Sequence, residues 1–142
     1  ALDKIISVTK EYPFFIQQMC QVVYKNAVEK EIGCGCVESS TEEFYKLLDV
    51  GFFKVRYERC ADSDKKFIFA MVECGELPCT IANVAKNLNK SVSSISTTRA
   101  QLINKGIIYP IRYRELDFTV PEFSGYIQRL EEYRLWCEEK EL

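Results

Sequence analysis

The chain contains no histidine. That absence removes Ser-His and Cys-His catalysis, histidine-ligated metals and the commonest general base together. The sequence also lacks a GxxxxGK[ST] loop and a GxGxxG turn, the Gly-rich segments that cradle nucleotide phosphates. No apolar run approaches the roughly 18 residues needed to span a bilayer, and no basic-then-apolar secretory pattern opens the chain. No nucleophile sits with a base. The isolated chain is therefore expected to have no catalytic site, no cofactor of its own and no membrane partner. Its start at Ala1-Leu2-Asp3, without Met, reads as a fragment or a processed product.

The seven cysteines are an odd number, so one would stay unpaired in an oxidised protein. Several fall on apolar helix faces, where a free thiol behaves as a small hydrophobe. The expectation is reduced cysteines in a reducing cytoplasm. Cys34-Gly-Cys36 and Cys74-x4-Cys79 lack the C-x2-C spacing of common zinc sites, and no metal site is assigned.

What is present is globular. The 142 residues are 47% hydrophobic and 28% charged, with nine Phe and eight Tyr to build a core. That length suits one ordinary domain or two very small ones. The net charge is −2, but it is unevenly placed. Residues 77–114 carry Lys86, Lys90, Arg99, Lys105, Arg112 and Arg114 with no Asp or Glu, while the flanking stretches are both net acidic. A local basic footprint on a near-neutral chain is what a small DNA-binding module needs for phosphate contacts.

Tyr12-Pro13 opens a helical pattern, Pro being suited to the first helical position. Phe15, Met19, Val22, Val23 and Val28, with Cys20 and Ala27, predict a wide apolar face to about residue 31. Gly33 to Cys36 reads as a loop, and Ser40 to Glu43 as a capping box before a short helix with Phe44, Leu47 and Leu48 inward. Residues 51–60 predict another short helix with Phe52 and Phe53 buried. Ser63 can cap a helix carrying Phe67, Ala70, Met71 and Cys74 at i, i+3, i+4, i+7, with Gly75 as its left-handed end and Pro78 as a stop. Thr80 can cap a second helix with Ile81, Val84, Ala85 and Leu88 inward. Asn89-Lys90 forms a tight turn, and Ser91 caps a third helix running to Lys105, stopped by Gly106.

Residues 107–111 and 116–120 then read as two strands around an Arg112–Glu115 tip, with Pro110 restricting the first to a sheet edge. Pro121 opens a last helix with Phe123, Tyr126, Ile127 and Leu130 inward. Helix, helix, turn, helix, hairpin is the winged-helix order. The expected fold class is mainly α with a small β-hairpin: a winged helix-turn-helix, over roughly residues 60–130, preceded by a short helical subdomain. In domain terms this gives a helical segment at 1–48, the winged helix at 49–132 and a charged tail at 133–142.

On a helical wheel the third helix points Val92, Ile95, Leu102 and Ile103 inward. Ser94, Thr97, Gln101 and Lys105 point outward, flanked by Ser93, Thr98 and Asn104. Six Ser or Thr within residues 91–98 are poor helix formers for a merely solvated face. Small polar residues let a helix sink into the major groove and read base edges. Candidate nucleic-acid contacts are Lys90, Ser91, Ser93, Ser94, Thr97, Thr98, Gln101 and Lys105, with Arg112 and Arg114 at the wing tip. Arg99 falls inward and is expected to need a carboxylate partner rather than to read bases.

Three segments carry a family resemblance: Thr9-Lys10-Glu11-Tyr12-Pro13-Phe14-Phe15-Ile16-Gln17, Ser91 through Tyr109, and Asp117-Phe118-Thr119-Val120-Pro121-Glu122-Phe123. They resemble the T-G-G-Y-P-x-x-x-Q lid segment, the S…R…LIxKGxIY recognition helix and the xFTVPxF closing strand of archaeal-type AAA+ ATPases related to origin-recognition initiators. The resemblance implies that residues 1–48 are the end of an ATPase lid. It also implies that a domain binding ATP and Mg²⁺ lies upstream, outside this chain. Glu11 stands at a usual glycine position, and no ATP-site residue is assigned. The expected function is a DNA-binding winged-helix module of an AAA+ ATPase. The expected partners are double-stranded DNA and the upstream ATPase domain, with homo-oligomer formation left open. The alternative is a winged helix that docks on its own ATPase domain or on a partner protein, to which Tyr109, Tyr113 and Tyr126 could contribute.

Overall fold

The computed structural model describes residues 1–28 and 31–141. Residues 29 and 30, inside the helix expected to reach residue 31, and residue 142, in the expected tail, lie outside the described residues. The chain divides into two compact units, Ala1–Val55 and Arg56–Leu142. The fold is mainly α with one small antiparallel sheet.

In the first unit, α1 (Leu2–Thr9), α2 (Pro13–Asn26) and α3 (Cys34–Leu48) are followed by a π-helical turn, Asp49–Phe53. Tyr12 and Pro13 open α2 as the sequence suggests, and Phe15, Met19, Val22 and Val23 are buried. Phe15 is the centre of the core, with ring centroids 6.1 Å from Phe44, 5.3 Å from Phe52 and 5.9 Å from Phe53. Several expectations fail here: Leu47, expected inward, is 48% exposed. The helix stops at Asn26, so Val28 is 97% exposed, and Cys20 is also exposed. Cys34 and Cys36 are helical, because α3 starts at Gly33 rather than at Ser40. Ser40 is instead buried in mid-helix and accepts from the Asn26 amide at 3.2 Å. The same amide donates to Glu43 at 2.9 Å and holds that carboxyl below its usual range. The helix α1 had no sequence counterpart, its eight residues being too short to show a period.

The second unit is built on α5 (Asp62–Glu73), preceded by α4 (Lys54–Glu58), in which the division between units falls. Phe67, Ile68, Phe69, Ala70, Met71 and Val72 are all buried, so α5 is covered on every side. Its N-cap is Ala61, not Ser63. The Asp64 carboxylate turns back and accepts from the Ala61 N–H at 3.1 Å, satisfying a donor that no helical carbonyl can reach. Asp64 is fully buried.

Then come β1 (Cys79–Thr80), α6 (Ile81–Asn87), α7 (Val92–Asn104), β2 (Ile108–Arg112), β3 (Glu115–Phe118), α8 (Phe123–Gln128) and α9 (Glu131–Glu141). The strand order is β1-β3-β2, which leaves Pro110 on an edge strand as its missing N–H requires. Thr80 and Ser91 cap α6 and α7, accepting from Asn83 N–H at 3.2 Å and Ser94 N–H at 3.3 Å. Gly75 and Gly106 take the positive φ that ends a helix in the left-handed region. In place of the expected charged tail, α9 lays Tyr133 and Trp136 on Phe69, with ring centroids 5.6 and 5.7 Å away. Glu131, Glu132, Glu138 and Glu139 remain exposed, so the helix carries charge on one side and aromatic rings on the other.

Trp136 is the only tryptophan and reports on the second unit alone. Asp64→Ala unpairs Lys105 and frees the Ala61 N–H. Breaking a buried pair costs roughly 3–5 kcal/mol, less where one partner reaches water, so a loss of about 2 kcal/mol is expected. Urea unfolding followed by Trp136 fluorescence measures it, and an unmoved midpoint contradicts the role of Asp64. Burial, followed by the hydrogen bond to Glu132, pushes the Tyr57 phenol far above its ordinary value. The folded state then holds that proton more tightly than the unfolded chain. Stability is therefore full below about pH 10 and falls above it. Tyr57→Phe should remove part of that fall in urea midpoints measured on either side of pH 10.

Candidate nucleic-acid interface

The position of α7 follows from its two ends. At its start the Ser91 cap follows a turn in which Asn89 adopts a positive φ. At its C-terminal end the Lys105 ammonium pairs with Asp64 and also donates to the Arg59 carbonyl at 3.4 Å. Between them Ile95 and Leu102 are buried against the unit, and Ile103 is half-buried. Ser93, Ser94, Thr97 and Gln101 are left on the exposed side, with Thr98 half-buried at its margin. Ser94 and Ser96 each turn their hydroxyl back to a carbonyl three residues earlier, at 2.8 Å, which leaves their oxygens free to accept.

Two residues differ from their sequence assignment. Lys105 was expected on the contact stripe; its ammonium is engaged with the buried Asp64 carboxylate instead. That contact raises the lysine pKa, chiefly through the hydrogen bond. It is a structural cation. Val92 was expected inward and is 45% exposed, because α7 begins there and its first turn projects past the core.

Cations flank the α7 stripe on both sides. On the α5 side, Lys66 and Lys90 share a small recess with Ser94 and Thr98. Lys66 was not singled out from the sequence. It sits outside the basic stretch, and only the packing of α5 on α7 brings it there. On the hairpin side lies a groove of about 1040 Å³ between the first turns of α6 and α7 and the tip of the hairpin. Arg99, Arg112 and Arg114 line it, with Val92, Ile111 and Tyr113 among its apolar walls and no Asp or Glu. Arg99 is half-buried, as its inward position suggests, but no carboxylate among the described residues pairs with it. Its guanidinium faces the groove alongside those of the wing-tip pair. Arg114 takes a positive φ in the two-residue turn and stacks over Tyr113 at 5.0 Å. Its carbonyl accepts from the Ile81 N–H at 2.9 Å, which ties the tip to the start of α6.

The rest of the unit offers little chemistry. Among the described residues no group of three His, Cys, Asp or Glu could hold a metal ion, and no helix is long and apolar enough to cross a membrane. Cys74 and Cys79 contact each other through their thiols. Burial pushes the Cys79 thiol up to about 12, so it stays protonated at neutral pH. Among the described residues two buried side-chain oxygens, one of Asp64 and one of Glu115, have no hydrogen-bond partner; Glu115 starts β3, opposite Thr80 and Arg112.

No curated protein and no solved structure matches this chain. One family model matches residues 50–127, from the π-helical turn through α8 and therefore across the whole of α7, the groove and the hairpin. The chain thus belongs to the family described as Domain of unknown function (DUF8462).

Proposed function

We propose that the second unit is a winged helix that binds double-stranded DNA, with α7 as the recognition helix and the β2–β3 hairpin as the wing. The observation that carries this reading is the exposed Ser/Thr/Gln face of α7, flanked by Lys66 and Lys90 on one side and by three arginines on the other. A helix in the major groove has a phosphate strand on each side of it, and cations at both margins match that arrangement. Thr97 and Gln101 are placed to meet base edges, and Ser91, Ser93, Ser94 and Thr98 to meet phosphates or bases near the start of the helix. The chain itself contributes no catalytic residue in this reading.

The proposal extends upstream on the strength of the family resemblance alone. The three helices of the first unit are the end of an AAA+ lid, and the parent protein carries an ATP- and Mg²⁺-binding domain before it. A GxxxxGK[ST] loop encoded upstream in the same reading frame is the expected finding, and its absence overturns this extension.

Fluorescence anisotropy of the full chain with random duplex DNA at about 50 and 200 mM salt tests the central claim. Four phosphate contacts should cost on the order of a hundredfold in affinity between those concentrations. Arg112→Ala with Arg114→Ala should weaken binding to all sequences alike and flatten the salt slope by about two contacts. Gln101→Ala and Thr97→Ala should instead change sequence preference. The exposed Val92, Ile111 and Tyr113 favour a second reading, in which this face docks a protein, either the ATPase domain or another partner. Absence of duplex binding at both salts overturns the first reading and leaves the second.

A further inference from the structure

We propose that the groove between α7 and the hairpin takes an unpaired stretch of nucleic-acid strand, so that this unit prefers junctions of duplex and single strand to blunt duplex. The inference rests on the nucleic-acid reading of the second unit and names which form of nucleic acid the site is built for.

The groove combines two features that a duplex backbone does not use together. Its three guanidiniums, from Arg99, Arg112 and Arg114, have no acidic residue beside them in the lining. They call for a polyanion. Its walls are apolar and wet: Val92 is 45% exposed, Ile111 38% and Tyr113 85%. Duplex DNA turns its phosphates outward and hides its base faces in the stack. Phosphates alone would satisfy the arginines and leave Val92, Ile111 and the Tyr113 ring in water. An unpaired strand carries phosphates and open base faces on the same few ångströms of chain. Bases stack on aromatic rings and on guanidinium planes without regard to sequence, which suits a groove with almost no hydrogen-bonding specificity of its own. The Arg114 guanidinium lying over the Tyr113 ring at 5.0 Å already forms one such flat, cationic platform.

The location fits a junction. Arg99 projects from the same helix that carries Thr97 and Gln101, so a duplex seated on the α7 stripe would have its margin at the groove. A volume of about 1040 Å³ is at the upper end of ordinary ligand pockets, and the hairpin-tip residues Tyr113 and Arg114 form part of its lining.

Anisotropy titration of the full chain with four labelled probes of matched length tests this: blunt duplex, duplex with a 5′ overhang, duplex with a 3′ overhang, and single strand. At least one overhang probe should bind about tenfold or more tighter than the blunt duplex. The variant Tyr113→Ala with Ile111→Ser should lose that preference, so that blunt and overhang probes bind with about the same affinity. Both residues are exposed, and an unchanged Trp136 unfolding midpoint certifies the fold of the variant. Equal affinity for blunt and overhang probes overturns the junction proposal and leaves duplex binding intact. A preference that survives the double variant overturns the groove assignment. Binding of single strand and overhang without blunt-duplex binding keeps this inference and removes the duplex reading. Failure of all four probes, with binding of an acidic leucine-containing peptide abolished by the Arg112→Ala/Arg114→Ala variant, assigns the groove to a protein and overturns it.

Discussion

A carboxylate shut away from water sits at the first turn of the helix around which the second unit is packed. A carboxyl group in that position is costly unless strong partners offset its burial. One oxygen of Asp64 accepts from both the Ala61 N–H and the Lys105 ammonium, while the other has no hydrogen-bond partner among the described residues. The bond to Ala61 closes the N-terminus of α5. Lys105 is the residue just past the end of α7. A single side chain thus ties the start of one helix to the end of another. The buried faces of both helices then have one register in which they fit. The outward face of α7, and with it every candidate contact between Ser91 and Gln101, follows from that register.

The basic stretch from residue 77 to 114 divides by role. Lys105 faces inward to Asp64, while Lys90, Arg112 and Arg114 reach water and Arg99 stands half-way. Among the described residues, only Lys105 in this stretch forms an ion pair with a carboxylate. Nearby thiols do not alter this balance. Cys79 sits at the root of the sheet, and burial keeps its thiol protonated. The positive potential around the groove is therefore set by the three guanidinium side chains that line it.

Much of this was legible in the sequence, and the failures have distinct causes. Thr80 and Ser91 read correctly as caps because each stands directly before an apolar repeat and after a turn residue. Ser40 and Ser63 also precede apolar residues at helical spacing, yet their helices begin earlier, with caps at Gly33 and Ala61. A cap is defined by where the chain leaves the helical region, and a serine inside a helix can bond elsewhere, as Ser40 does with Asn26. The charge of Lys105 was visible, but its partner lies 41 residues away and does not show in any periodicity. Lys66 was missed for the converse reason, being brought to α7 by packing alone. The strand β1 has two residues, too few to alternate. The aromatic side of α9 was masked by its glutamates. The groove was not foreseen at all, because its walls come from three separate stretches and Val92 had been counted as core.

The root of the hairpin is held differently from its tip. Cys79 and Thr80 pair with Leu116 and Glu115, Thr119 bonds back to Ile107, and Leu116 and Phe118 are buried in the core. Beyond Tyr109 on one strand and before Glu115 on the other, side chains are in water, and the Ile81–Arg114 backbone bond is the tip's link to the helices. Residues 113 and 114 are therefore a place where chain length can change without touching the core, provided that the Ile81–Arg114 bond is kept. The reach of the wing, and so the span of whatever it touches, is the property of this fold most open to variation by insertion.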